Sequence, residues 1–177
     1  MREKKILMII AFRDFRDEEY FIPKDIFQSE NIEVVTASNQ EGIAIGSEGG
    51  EVKVDTTIDN LNLDEFEAVV LSGGRGCLKA LDNEKLYNLV KVALNQNKIV
   101  AAICISPVIL AKAGVLKGRK ATVWSSELDK SAIKILEKEG AVYQSKPVVV
   151  DGKIITAAGP FAANEFGKEI VNLLKKE

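Results

Sequence analysis

"KIVAAICISPVILAKAGVLKG", residues 98–118, runs without a charge from Ile99 to Ala111 and carries Cys104 near its centre, with Pro107 three residues later. A membrane span, a core segment and a strand that hands a side chain to a helix are three ways to read such a run. Pro107, Lys112 and Gly114 interrupt it before it reaches the ~20 apolar residues that a span requires. Ala102-Ile103-Cys104-Ile105-Ser106 has the pattern small-x-Cys-x-small, which suits the third reading. A sharp, strained strand-to-helix turn leaves room only for small residues beside the central one. Ser106 is then expected to cap the helix and Pro107 to occupy its first position, where a missing N–H costs nothing. The helix dipole and its free N–H groups would favour thiolate over thiol at Cys104. The same spacing also suits a buried cysteine packing as a small hydrophobe at a strand end, and spacing alone leaves both readings open.

Working outward, apolar β-branched runs alternate with amphipathic stretches. "KKILMIIAF" (4–12) precedes "DEEYFIPKDIFQSEN" (17–31) and "IEVVTAS" (32–38); "EAVVLSGG" (67–74) precedes "NEKLYNLVKVALNQN" (83–97). Beyond the central stretch come "KATVW" (120–124), a helical pattern over 125–140, "VVVDGKIITAAG" (148–159) with an Asp-Gly turn, and a helix from about Asn164 to Lys176. Continuous apolar strands separated by helices predict a mostly parallel sheet covered on both faces. "EGIAIGSEGGEVKVDTTI" (41–58) breaks the rhythm with five glycines or serines and reads as a hairpin insertion at a sheet edge. No repeat, linker or low-complexity tract appears, so one domain over 1–177 is expected. In such a sheet, ligands bind beyond the carboxyl ends of the strands. That directs attention to residues 14–19, 72–77, 104–107, 124–126 and 157–160.

Composition narrows the function. The 177 residues carry 46% hydrophobic and 28% charged side chains with a net charge of −2, which fits a soluble globular protein. Interspersed charges give no basic patch for nucleic acid and no polybasic amphipathic helix for a membrane surface. "MREKKILMIIAF" superficially resembles a signal peptide, but "RDFRDEE" follows where a small-residue cleavage site belongs, so it reads as the first buried strand of a cytoplasmic protein. Two cysteines, Cys77 and Cys104, lack a CxxC spacing. Histidine is absent, which excludes a Ser–His–Asp or Cys–His pair from this chain and makes a zinc site improbable. No metal or other cofactor is expected.

Four segments together resemble the PfpI/ThiJ superfamily, whose members include PfpI-type intracellular proteases and the Parkinsonism-associated deglycase. "AAICISPVILAKAGVLKGRKAT" (101–122) is similar to its cysteine turn, and "EAVVLSGGRG" (67–76) to its Gly-Gly turn. "DEEYFIPKDIFQSENIEVVTAS" (17–38) is similar to its first helix, and "VVVDGKIITAAGPFAANEF" (148–166) to its closing hairpin. The resemblance implies a three-layer α/β sandwich of the flavodoxin-like, class I glutamine-amidotransferase-like type, and a homo-oligomer. It makes Cys104 the reactive cysteine and Glu19 the carboxyl that approaches its sulfur. Like-charge repulsion beside a thiolate would keep Glu19 protonated. Backbone N–H groups of Gly74, in the Gly73-Gly74 turn, and of Ile105 would stabilise an oxyanion. Arg75, Cys77, Ser106, Trp124, Gly159 and Pro160 are expected nearby. Cys77 reads either as a resolving thiol or as a buried cysteine at a helix start.

Departures from the family pattern bear on activity. Ile105 stands where the protease branch has histidine, Trp124 roughly where the deglycase branch has one, Ser72 where proline is usual, and Ser106 where glycine is usual. The closing Arg-Gly-Pro reads Ala158-Gly159-Pro160, which lacks the anion-binding arginine. Without imidazole the peptidase reading is the weakest. What the resemblance then implies is cofactor-independent glyoxalase or deglycase chemistry on small reactive carbonyls such as methylglyoxal. A non-enzymatic redox-sensing or stress role for Cys104 is the alternative.

Overall fold

The computed structural model describes residues 3–177; Met1 and Arg2, which open the expected domain and the stretch "MREKKILMIIAF", lie outside the described residues. β1 (Lys5–Ile10) turns Ile6, Met8 and Ile10 to one core layer and Leu7 and Ile9 to the other, all fully buried. Burial on both faces is why it reads as an unbroken apolar run. In order follow β2 (Arg13–Phe15), α1 (Asp17–Ser29), β3 (Glu33–Ser38), β4 (Ile43–Gly46), β5 (Glu51–Lys53) and β6 (Thr56–Thr57). The middle of the chain supplies β7 (Ala68–Leu71), α2 (Cys77–Leu81), α3 (Glu84–Asn95), β8 (Ile99–Ile103) and α4 (Pro107–Lys112). The last third holds β9 (Lys120–Ala121), α5 (Ser131–Lys138), β10 (Val142–Tyr143), β11 (Val148–Asp151), β12 (Ile154–Ala157) and α6 (Ala163–Lys175).

The central sheet has the order β11-β12-β8-β7-β1-β3-β6, parallel except for the β11–β12 hairpin. One core layer packs α2, α3, α4 and α5 on the sheet through Leu81, Leu86, Val90, Ile109 and Leu136. The other packs α1 and α6 through Tyr20, Phe27, Phe166 and Ile170. This is the expected three-layer sandwich. Among the described residues no helix is long and apolar enough to cross a membrane.

Three local expectations need correction. The hairpin β4–β5 forms, but it joins β2 in a separate three-stranded sheet, and only β6 at its end reaches the edge of the central sheet. Asp17 explains the docking: its carboxylate accepts from the backbone N–H of Glu48 at 3.0 Å and of Gly50 at 2.8 Å. The helix expected over 125–140 begins only at Ser131. Ser126 and Asp129 bond each other's backbone first, and Asp129 Oδ1 then accepts from the Ser131 N–H at 2.9 Å. Ser106 is not a side-chain cap. Its Oγ accepts from the Ile103 N–H at 2.9 Å and lies 2.9 Å from the Leu71 carbonyl, bridging the ends of β8 and β7.

Candidate functional site

β1, β7 and β8 are adjacent and run parallel, so the turns that follow them meet at the carboxyl end of the strands. After β8, Cys104 takes φ 66°, the left-handed conformation, in which a side chain other than glycine costs roughly 1–2 kcal/mol. Its N–H donates to Ala157 O and its carbonyl accepts from the Trp124 N–H, both at 2.8 Å, so two neighbouring segments hold the strained turn. Strain of this kind persists where surrounding structure over-determines it, and such places cluster at functional sites.

Glu19 reaches the turn from α1. Its Oε1 accepts from the Gly73 N–H at 3.0 Å. A Cβ added at Gly73 would stand 2.8 Å from both Cys104 Cβ and Glu19 Oε1, so glycine is what lets the three segments close together. Pro23 also shapes this corner. It has no N–H for the Glu19 carbonyl four residues back, and the buried Ser72 hydroxyl donates to that carbonyl at 3.3 Å instead. Ser72, the departure from the usual proline, thus supplies a hydrogen-bond donor that proline lacks.

Electrostatically, Glu19 and Cys104 form one unit. Burial pushes the Glu19 carboxyl up to about 7, while the Cys104 thiol and the Gly73 N–H pull the other way. Glu19 Oε2 is buried without a hydrogen-bond partner among the described residues. Burial also pushes the Cys104 thiol up, the Glu19 charge adds to it, and the Ile105 N–H against the sulfur opposes both. Two expectations change here. Desolvation, rather than repulsion, is the main reason for the Glu19 shift, and the short α4 does not bring the thiol down. Below about 7 the pair carries both protons; above it the carboxyl loses its proton first, and a thiol stands beside a carboxylate.

Cys104 lines a cleft of about 510 Å³ together with Gly74, Arg75, Ile105, Trp124 and Pro160. Those six are expected residues that the structure brings together. Gly73 is buried beneath the cleft against Glu19, and Gly159 packs behind the Phe161 ring. Ser106 is fully buried and stays out of the cleft. Cys77 is fully buried in the core layer of α2 and α3, whereas Cys104 packs against the opposite layer. Cys77 thus takes the buried position that was one of its two readings.

Arg16, Ser47, Glu48 and Leu78 also line the cleft and were not singled out from sequence. Arg16 fell within the stretch after β1 but carried no motif. Ser47 and Glu48 arrive on the β4–β5 turn through the Asp17 carboxylate, a long-range tie invisible to local patterns. Arg16 bridges Glu18 at 3.0 Å and Glu48 at 3.1 Å across the rim. Among the described residues no cluster of His, Cys, Asp or Glu could hold a metal ion.

The chain is similar to known proteins along nearly its whole length. The chain is 38% identical over 171 residues to "Deglycase PfpI" of Pyrococcus furiosus, covering 97% of this chain and 99% of that one. It is 30% identical over 177 residues to "General stress protein 18" of Bacillus subtilis, covering 98% and 99%. The crystal structure of a ThiJ/PfpI domain protein from Brachyspira murdochii superposes with a TM-score of 0.93 at 32% identity, covering 100% of this chain and 99% of that one. Residues 4–173 match the DJ-1/PfpI family model, and the chain belongs to the DJ-1/PfpI family.

Proposed function

We propose that the chain is a cofactor-independent, cysteine-dependent glyoxalase or deglycase acting on small reactive carbonyls. The observation that carries this reading is Cys104 in a strained turn at the cleft, against a buried Glu19 whose carboxyl titrates at about 7. A group titrating near neutrality both takes and returns a proton at working pH. With methylglyoxal, Glu19 takes the thiol proton as the sulfur adds to the aldehyde carbon, and returns it to the oxygen that gains charge. Glu19 then moves the C1 proton to C2 while the C1 hydroxyl proton passes to the C2 oxygen, giving a thioester, and water releases lactate and regenerates the thiol. The net reaction is methylglyoxal plus water to lactate. The deglycase name of the Pyrococcus relative supports the same chemistry. The peptidase reading has no such support, because no imidazole exists in the chain or in any homo-oligomer of it.

Lactate formation from methylglyoxal by purified protein, abolished in Cys104→Ala, is the test; no lactate from the wild type ends this reading. A redox-responsive role is the second reading, favoured by the stress-protein relative and by the unpartnered Glu19 Oε2, which can hydrogen-bond an oxidised sulfur. Mass spectrometry after mild peroxide treatment decides it, and an unmodified Cys104 rules it out. A homo-oligomer is part of the proposal from family membership, and sedimentation velocity checks it.

A further inference from the structure

The Gly73-Gly74-Arg75-Gly76 turn is pressed against the chain beneath it. A Cβ at Gly74, where φ is 108°, would lie 2.5 Å from Arg16 N and 2.6 Å from Asp14 O; one at Gly76 would lie 1.8 Å from Arg13 O. Backbone bonds fix the turn further: Arg16 N–H to Gly73 O at 3.1 Å, and Gly76 N–H to Asp14 O at 3.0 Å. Arg75 is the one residue of the four with a side chain, and it lines the cleft that holds Cys104. Its backbone is thus a rigid mount.

Three charged residues line this cleft: Arg16, Glu48 and Arg75. Arg16 is spent on Glu18 and Glu48. Arg75 has neither an ion pair nor a hydrogen bond among the described residues, so the cleft keeps one uncommitted positive charge. A guanidinium presents a planar fork of donors that matches carboxylate or phosphate oxygens. A neutral dicarbonyl makes no use of that fork. Leu78, Ile105, Trp124 and Pro160 supply an apolar wall for a short carbon body between cation and sulfur. We propose that Arg75 is an anion-binding subsite, and that among the carbonyl compounds taken at Cys104 those bearing a carboxylate or phosphate are taken in preference to neutral ones such as methylglyoxal. The substrate class rests on the carbonyl reading above; the anion subsite is this chain's own.

Alkylation of Cys104 tests the subsite without turnover. Iodoacetate and iodoacetamide carry the same leaving group and differ in charge, and mass spectrometry of the Cys104 peptide gives both rates. The ratio of iodoacetate to iodoacetamide rate is expected to fall about fivefold in Arg75→Gln, to stay near wild type in Arg75→Lys and to fall furthest in Arg75→Glu. Raising salt to about 1 M should erode the wild-type ratio and leave that of Arg75→Gln unmoved. An equal ratio in wild type and Arg75→Gln overturns the proposal, and so does a native Cys104 that neither reagent modifies. Failure of the carbonyl reading shows separately, as absent lactate formation alongside an Arg75-dependent ratio.

Discussion

The turns after β7 and β8 each follow a fully buried parallel strand, each lie near a cysteine, and stand at the same, carboxyl, end of the strands. They differ in what the backbone does next. After β8 the chain turns at Cys104 itself, through a left-handed residue, and leaves the sulfur at a cleft. After β7 the turn is made by glycines, and Cys77 comes later, as the first residue of α2, packed into the core. Burial pushes both thiols up, and the Glu19 charge adds to each. Ionisation tendency therefore does not distinguish them. Access and backbone conformation do.

The largest test of that contrast is exchange of each sulfur for oxygen. Cys104→Ser should lower lactate formation by at least about a hundredfold, because a serine hydroxyl has no base here strong enough to activate it. Cys77→Ser should leave turnover within about threefold and cost about 1–3 kcal/mol in denaturant melts for a hydroxyl placed in an apolar layer. Comparable losses of activity in both variants would break the distinction.

Next, Glu19→Gln removes the proton carrier and should lower turnover about a hundredfold. In the wild type, activity should rise with pH through about 7, as Glu19 becomes the base that takes the thiol proton, and the pH–rate profile of kcat/KM reads this directly.

The same variant should move stability in the opposite sense. Below the unfolded value of 4.5 Glu19 is neutral in both states and burial carries no ionisation penalty. As pH rises from 4.5 to about 7 the unfolded chain ionises first, and stability is lost. Chemical denaturation at pH 4 and pH 8 should therefore show Glu19→Gln gaining about 3 kcal/mol on the wild type at the higher pH.

The smallest test compares glycine with alanine at each cysteine. At position 104 glycine should be more stable than alanine by about 1 kcal/mol, since it relieves the left-handed strain. At position 77, within a helix, alanine should be the more stable by about the same amount. The same order at both positions in thermal melts would mean that the two turns are not the different objects described.

Much of the fold was legible because burial on two faces leaves a strong trace. Residues 6–10, 68–71 and 99–103 are apolar on both sides of the pleat, a pattern that a half-exposed strand or an amphipathic helix does not write. Cys104, Glu19 and the Gly-Gly turn were legible from motif and resemblance, and the strand–turn–helix expected around Cys104 is the one observed. What stayed hidden depends on distant partners. Glu48 reaches the cleft because Asp17, 31 residues earlier, holds its backbone N–H. Ser106 spacing looks the same whether its hydroxyl caps a helix or bridges two strands. The direction of the Cys104 shift was also concealed, since it turns on how deeply the sulfur is buried rather than on the residues beside it in sequence.

Pro23 divides α1 into two mechanical pieces. The turn ahead of it is welded to the sheet, through Ser72 on the Glu19 carbonyl and Gly73 on its carboxylate. Pro23 itself rests on α6, where a Cβ at Gly167 would come within 3.2 Å of its Cα. The proline thus sits where the part of α1 tied to the sheet gives way to the part packed on α6. The Glu19 carboxyl is tied directly to the sheet side, by a bond that does not pass through the α1–α6 contact.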